Sequence, residues 1–499
     1  MKNPLEQLAD CLQRLSKAPQ NGALWCEVGF LYLKIHDPAE ALATFLAAQQ
    51  IAPRLGDAWF GEAIARLKLG DPPAARAAIS EAIRRSPNDQ RLYSALAYLH
   101  QACGSTPATV LAAYRDWGQR FADPLSSARP ALRKPRGKIR LGYLSADFRQ
   151  HALMDFFAPL LEQHDRQQFE LIAFFSGQAD ALTAGIKARF DYWNEVRTLD
   201  DAALAKLIQR RGIDILIDLS GHSEGTRLLT LARRPAPIQL TWFGYNGTSG
   251  LSVLDGRLSD SIMDPPGNEQ WATEPIIRLP HFACFAPPPD LPEPGPAPCL
   301  QNGYVTFGSL NNVQKVSPAT LTCWRQILDA VPNARLRLIG PHAPGTEHSQ
   351  GQHWRQHLAA HGVPNARVDL LPQQSRSDFF RQGEAIDIAL EPFPLSGAVT
   401  TAHALWQGLP CLTLAGTLPA ERAAAAILAA ANLPAGIVES PQAYVQTAIH
   451  WASEPAGLDA QRRQQRGHLR TSPLLDQAGL TRELEAQFTQ LVTALSATC

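Results

Sequence analysis

Within the first hundred positions, residues recur at a fixed spacing of 34, and nothing else in the chain restricts its fold as tightly. Trp25, Trp59 and Tyr93 form one series, Gly29, Ala63 and Ala97 a second, and Pro19, Pro53 and Pro87 a third, while Asp37 pairs with Asp71. A period of this length is too long for a strand or a single helix turn and suits one pair of helices. The small residue lets two helices approach closely, and the proline cannot continue the helix it follows.

An aromatic, a small residue four positions later and a closing proline are the signature of a tetratricopeptide repeat. Residues 1–125 are therefore expected to form an all-α repeat domain of about three helix pairs, the first incomplete. Such units bury their apolar faces only by stacking, and the stack presents a concave surface. That surface is either a groove for a protein or peptide, or a short structural cap on the next domain.

From residue 138 the pattern changes. KIRLGYLSAD (138–147), FELIAFFSG (169–177), IDILIDLSG (213–221) and PIQLTWFGY (237–245) read as buried strands separated by helical stretches such as DAALAKLIQRRG (201–212). The alternation predicts an α/β domain with a parallel sheet over 138–290. PPPDLPEPGPAPCLQNG (287–303) then holds seven prolines and reads as a stiff linker. Beyond it the alternation restarts with YVTFGSL (304–310), ARLRLIG (334–340), RVDLLP (367–372), AIDIALEP (385–392) and LPCLTLAG (409–416), predicting a second α/β domain over 302–485. Two such halves imply a cleft, with ligands beyond the carboxyl ends of strands.

Composition removes several functions. The formal net charge is +0, so the global footprint of a nucleic-acid binder is absent; the basic run RPALRKPRGKIR (129–140) reads as solvated linker. The eight cysteines show no metal-ligand spacing, which predicts no metal site. The start, MKNPLEQLAD, lacks the apolar core of a signal peptide, and no run is long enough to span a membrane, so a cytoplasmic setting is expected.

The candidate site residues lie just after strands. In LEPFPLSGAVTTAHALWQGLP (390–410), Ser396, Gly397, Thr400 and Thr401 stand between a strand and a helix. A helix start offers unpaired N–H groups and the positive end of its dipole, so this stretch reads as a phosphate or diphosphate seat, or simply as a cap and turn. GSLNNVQKVSP (308–318) adds Asn311, Asn312 and Lys315, the lysine as a point charge for phosphate. In SADFRQHALMDFF (145–157), Asp147 and His151 would share one helical face if a helix began there, as an acid–base pair or as a cap and a packed histidine. FGYNGTSG (243–250) suits close approach to a sugar, or a plain turn.

Taken together, GYLSADFRQH, ILIDLSGHSEGTR, RPAPIQLTWFGYNGTSG, VTFGSLNNVQKVSP and DIALEPFPLSGAVTTAHALW, in this order behind the repeats, resemble the O-GlcNAc transferase family in its bacterial and plant-like forms. The resemblance runs over roughly 20–480. It implies a GT-B fold, two Rossmann-like domains behind a tetratricopeptide-repeat domain. It also implies inverting, metal-independent transfer of a sugar, GlcNAc or another hexose, from a UDP donor to Ser or Thr of protein acceptors reached through the repeat groove. By position, Lys315 matches a diphosphate-binding lysine, Gly397 and Thr400 lie on the phosphate loop with Thr401 beside them, and Asn312 falls near the nucleotide. Arg376 and Phe379 fall on the nucleotide side as well. His151 and Asp147 match residues facing the sugar and acceptor, and Gly244 a glycine near the sugar.

Four positions depart from the family pattern. His403 stands where an acidic residue usually grips the ribose, Phe379 where many members place a histidine against uracil, Asn246 where a proline precedes GTSG, and Leu153 where some members have a threonine. Three other functions stay open: a UDP-glucose-dependent glucosyltransferase acting on Asn, as relatives of the family do; a transferase dedicated to one bacterial surface protein or glycan; and a repeat scaffold that binds peptides without catalysis.

Overall fold

The computed structural model describes residues 3–132, 137–289, 291–339, 351–372 and 376–498. They form two compact units, each built from three stretches of chain. Met1–Val110, Leu291–Ala415 and Gly436–Arg466 make the first; Leu111–Asp290, Gly416–Ala435 and Gly467–Cys499 make the second.

The repeats fold as helices α1 (Pro4–Lys17), α2 (Gly22–Lys34), α3 (Pro38–Ile51), α4 (Gly56–Lys68), α5 (Pro72–Arg85), α6 (Gln90–Ala102) and α7 (Pro107–Trp117). Asp37 and Asp71, one period apart, each cap a helix by accepting the N–H three residues on, with proline in the first turn. The aromatic and proline series turn out to be partners. Trp25 Nε1 donates to the Pro19 carbonyl at 2.8 Å, Trp59 Nε1 to Pro53 at 3.3 Å and the Tyr93 hydroxyl to Pro87 at 3.1 Å. Each large ring thus pins the bend that precedes its own helix. The small position Gly29 is steric: a Cβ there would meet the Phe45 ring at 2.7 Å, and one on Gly61, outside the series, would meet the same ring at 2.1 Å.

The first unit also holds a parallel sheet of β8 (Thr306–Ser309), β9 (Arg335–Ile339), β10 (Val368–Leu371), β11 (Ile388–Leu390), β12 (Cys411–Leu414) and β13 (Ile437–Val438), in the order β10-β9-β8-β11-β12-β13. Phe307, Trp324, Trp354, Leu390 and Tyr444 sit in one core beneath it. The repeats pack on this same body. α4 contacts the 3-10 turn Val313–Lys315, and a Cβ on Gly70 would meet the Trp354 ring at 2.7 Å. Packing therefore joins the repeats to the C-terminal sheet, a grouping that composition along the chain does not reveal.

The second unit holds β1 (Ile139–Ser145), β2 (Phe169–Phe175), β3 (Tyr192–Glu195), β4 (Ile215–Asp218), β5 (Ile238–Thr241), β6 (Gly256–Asp260) and β7 (Ile276–Leu279), parallel in the order β3-β2-β1-β4-β5-β6-β7. In both sheets the order reverses at one place, between β1 and β4 and between β8 and β11. Loops leaving neighbouring strands diverge there and leave a crevice. The loops after β1 and β8 are those singled out from the sequence, and so is the loop after β11.

The expected strands appear in place, each shorter than the apolar run that announced it. β3, β6, β7 and β13 were not foreseen. β3 and β7 are edge strands with partly exposed residues, and β13 has two residues. Such strands carry no continuous apolar run. The proline-rich stretch is less a free linker than expected at its far end, where the Ala297 N–H donates to Asp459 and the Cys299 N–H to Asp387. In the basic run, residues 133–136 lie outside those described; Arg129 pairs with Asp255, and Arg140 Nε donates to Glu170 at 2.6 Å.

Candidate functional site

In the first unit, one carboxylate organises the residues expected to seat a diphosphate. Glu391 follows β11 and is 2% exposed. Its Oε2 accepts from the Gly397 N–H at 2.6 Å and from Asn311 Nδ2 at 2.9 Å, and its Oε1 from the Thr401 hydroxyl at 2.7 Å. Asn311 Oδ1 in turn accepts from the Thr400 hydroxyl at 3.0 Å. The loop after β8 and the loop after β11 are thereby tied into one body. Gly397 is glycine for a steric reason: a Cβ there would lie 2.4 Å from Thr400 Oγ1 and 2.8 Å from Glu391 Oε2.

The helix Val399–Trp406 starts at Ala398, whose side chain cannot cap it, and no side-chain cap bond is present. Its first-turn N–H groups therefore point at an anion-seeking mouth. Lys315 lies beside it, its Nζ donating to the Ser396 carbonyl at 2.8 Å. Burial pushes the Lys315 ammonium below the ordinary lysine range, and the negative charge of Glu391 opposes that shift. An ammonium has three donors, so this lysine is a desolvated cation with capacity left for an anion.

The structure brings Lys315, Gly397, Thr400 and Thr401 together, with Thr401 in a role the sequence did not suggest. Thr401 is wholly buried and its hydroxyl is turned to Glu391, so it positions the loop. Asn312 is exposed, and its side chain caps the turn that carries Lys315. His403 is 4% exposed and meets Phe380 and Phe379 edge-on, with ring centroids at 4.8 and 6.3 Å. Arg376 opens the helix Arg376–Glu384, its side chain lying outside those described.

In the second unit, Asp147 is buried just after β1 and His151 is exposed. The expected shared helical face is not there, because the helix begins later, at Met154. His151 Nδ1 stands 3.8 Å from Asp147 Oδ2, beyond hydrogen-bond reach, and accepts instead from the Leu153 N–H at 3.2 Å. The neutral ring therefore carries its proton on Nε2. Arg149 Nη2 is 3.6 Å from the other Asp147 oxygen.

Gly244 belongs to the loop after β5, where a Cβ would lie 2.0 Å from the Leu219 carbonyl oxygen. Glycine is required there by backbone crossing. The preceding Phe243 holds φ +48°, rare for a bulky residue, and stacks on Trp242 at 3.8 Å. Below, Glu274 accepts from Thr248, Ser249 and Arg257, tying the GTSG segment to the sheet.

Sequence reading missed two buried acids. Glu391 is one. Asp218, ending β4, accepts from the Ser220 and Gly221 N–H groups and from the Thr241 hydroxyl. The available signal was an acid inside an apolar strand, ALEPF and LIDLS. Burial pushes the Asp218 carboxyl up to about 6 from 3.8. The folded state thus holds this proton more tightly than the unfolded chain. Its contribution is full below the unfolded value and is lost as pH rises through about 6, a loss of about 3 kcal/mol. Urea unfolding from pH 4 to about 7 will lose stability more steeply in wild type than in Asp218→Asn. An equal slope in both would remove Asp218 as its source.

Comparisons with known proteins agree on the family. The sequence profile of glycosyl transferase family 41 matches residues 124–284 and 298–484. A probable UDP-N-acetylglucosamine–peptide N-acetylglucosaminyltransferase, SPINDLY, of Solanum lycopersicum is 34% identical over 81% of this chain. The probable transferase SEC of Arabidopsis thaliana is 27% identical over 70% of it. The chain spans only 44% and 37% of those two proteins. Among solved structures, a mutant form of the Thermobaculum terrenum O-GlcNAc transferase superposes with a TM-score of 0.94 at 31% identity, covering 99% of this chain and 95% of that one. Repeats followed by two Rossmann-like sheets are thus the fold of that transferase, and the chain belongs to glycosyl transferase family 41.

Proposed function

We propose that the protein transfers a sugar, GlcNAc, from a UDP donor to Ser or Thr hydroxyls of protein acceptors, inverting the anomeric centre. The observation that carries this reading is the uncapped start of Val399–Trp406 with the Lys315 ammonium held beside it. A leaving nucleoside diphosphate develops negative charge, and fixed donors aimed at that charge act without reorganising. Lys315 and the helix mouth supply such donors from the protein itself. The names of these relatives, which describe transfer of N-acetylglucosamine to peptide, support the sugar and the acceptor class.

The reaction is a displacement in which the acceptor oxygen attacks the anomeric carbon and the bond to UDP breaks. His151 is the group assigned to the acceptor proton. To receive it at Nε2, the ring must hold its own proton on Nδ1, where Asp147 Oδ2 at 3.8 Å is the nearby carboxylate. A small ring rotation would close that contact. Gly244 and its loop are assigned to the sugar, and the repeats to the acceptor chain. Phe379 and His403, as neighbouring rings, are assigned to the base and ribose.

The test is a panel of UDP-sugars incubated with the protein and a cell lysate, followed by mass spectrometry of modified peptides. UDP-GlcNAc is expected to add one N-acetylhexosamine to Ser or Thr. Hexose addition to Asn, or no addition despite calorimetric UDP binding, would overturn the reading.

A further inference from the structure

We infer that His222 is a positioning residue for the transfer, acting through the loop 243–250. The inference rests on the reading that this loop meets the sugar. Within the loop Gly244 is exposed, whereas Gly247, Thr248, Ser249 and Gly250 are buried. The buried segment is the anchor, and what grips it decides where the exposed glycine stands. Glu274 takes the donors of that segment, the Thr248 hydroxyl and the Ser249 N–H and hydroxyl. A carboxylate cannot also satisfy the Ser249 carbonyl, which only accepts. His222 does so from the loop after β4, its Nε2 donating to that oxygen at 2.8 Å.

Three aromatic rings fix the imidazole in turn. Tyr114 and Trp117 come from the last turn of α7, and Tyr245 from the loop itself. Their centroids lie 5.0, 4.7 and 5.6 Å from that of His222, and Trp117 and Tyr245 meet it edge to face. The Tyr114 and Tyr245 hydroxyls are hydrogen-bonded to each other. The backbones also touch. A Cβ on Gly118 would lie 2.0 Å from the Gly250 carbonyl oxygen, and one on Gly250 would lie 2.2 Å from that of Tyr114. A Cβ on Gly221, next to His222, would lie 2.4 Å from the Tyr245 Cβ. The end of α7, the loop after β4 and the loop after β5 are thus packed as one body within the second unit.

The bond to a carbonyl fixes the proton on Nε2. Burial pushes the His222 imidazole down to about 4, so the ring is neutral over the neutral pH range and its grip on Ser249 does not change there. A positioning role therefore lowers the rate of transfer without reshaping its pH dependence. UDP affinity is set by the Lys315 loops of the first unit and is expected to stay as it was.

The test uses UDP-GlcNAc and an acceptor peptide identified by the mass spectrometry above, and compares wild type with His222→Asn, His222→Gln and Tyr114→Phe. Glutamine places an amide N–H near where Nε2 stands, and asparagine is too short to reach Ser249. His222→Asn is expected to lower kcat about tenfold with calorimetric UDP affinity unchanged, and His222→Gln to recover most of the loss. The pH profile of kcat keeps its wild-type shape. Tyr114→Phe removes one hydroxyl from the clamp and keeps the ring; it is expected to lower kcat about threefold, and it decides the matter if His222→Asn fails to fold. A normal kcat in the deciding variant, equal losses in Asn and Gln, a parallel loss of UDP affinity or a reshaped pH profile would each overturn the inference. Absence of transfer in wild type would instead overturn the reading beneath it, and the inference with it.

Discussion

Lys315→Ala is expected to lower sugar transfer about 10²–10³-fold while leaving the unfolding midpoint close to that of wild type. The two halves of this expectation have one cause. The Lys315 side chain is partly buried, and that burial holds its pKa below the ordinary range. Its main bond within the protein is one to the Ser396 carbonyl. Removing such a cation gives up little folding energy, because the cost of its desolvation disappears with it. What is lost is a charge-assisted bond to the departing diphosphate, worth more as charge accumulates there than in the resting donor. Single-turnover rates should therefore fall further than UDP affinity measured by calorimetry. Turnover near wild type with an unchanged melt would take Lys315 out of the reaction.

Glu391→Ala is expected to cost about 4 kcal/mol of stability and to abolish UDP binding at any concentration where wild type saturates. The truncation strands the Gly397 N–H, the Asn311 amide and the Thr401 hydroxyl, all of them donors to this carboxylate. Each buried donor left unmade costs about 1–3 kcal/mol, and relaxation of the loop recovers part of the sum. Because Asn311 in turn holds Thr400, the helix mouth loses its geometry along with its anchor. Glu391→Gln keeps the volume but turns one acceptor into a donor, and should fall between wild type and Ala. Urea unfolding and calorimetry on the three proteins check the order. A stable Glu391→Ala that still binds UDP would mean that the two loops hold each other by other contacts.

Glu391 also marks the limit of what the sequence could reveal. That Lys315, Gly397 and Thr400 would come together was legible, because all three follow apolar strands of one sheet. Their hierarchy was not. Thr400 and Thr401 are adjacent and chemically alike, yet one is half-buried beside the mouth and the other is buried against a carboxylate. That distinction depends on helix phase, which shifts by about 100° per residue and which no spacing rule fixes at a helix start. The shared helical face expected of Asp147 and His151 is absent for a related reason. Spacing of four suggests a shared face only inside a helix, and this helix opens three residues after His151. The repeats were legible for the opposite reason: a contact such as Trp59 to Pro53 is made anew in each period, so the sequence records it several times over.

The division of the chain also constrains how the protein is made. The backbone passes from one unit to the other five times, after residues 110, 290, 415, 435 and 466. The first unit is therefore not complete until residue 466 has been made, and the repeats meet the sheet they pack on only after more than two hundred further residues have emerged. Expression of either half as a single uninterrupted polypeptide would leave apolar surface uncovered, and such fragments should be recovered as aggregates.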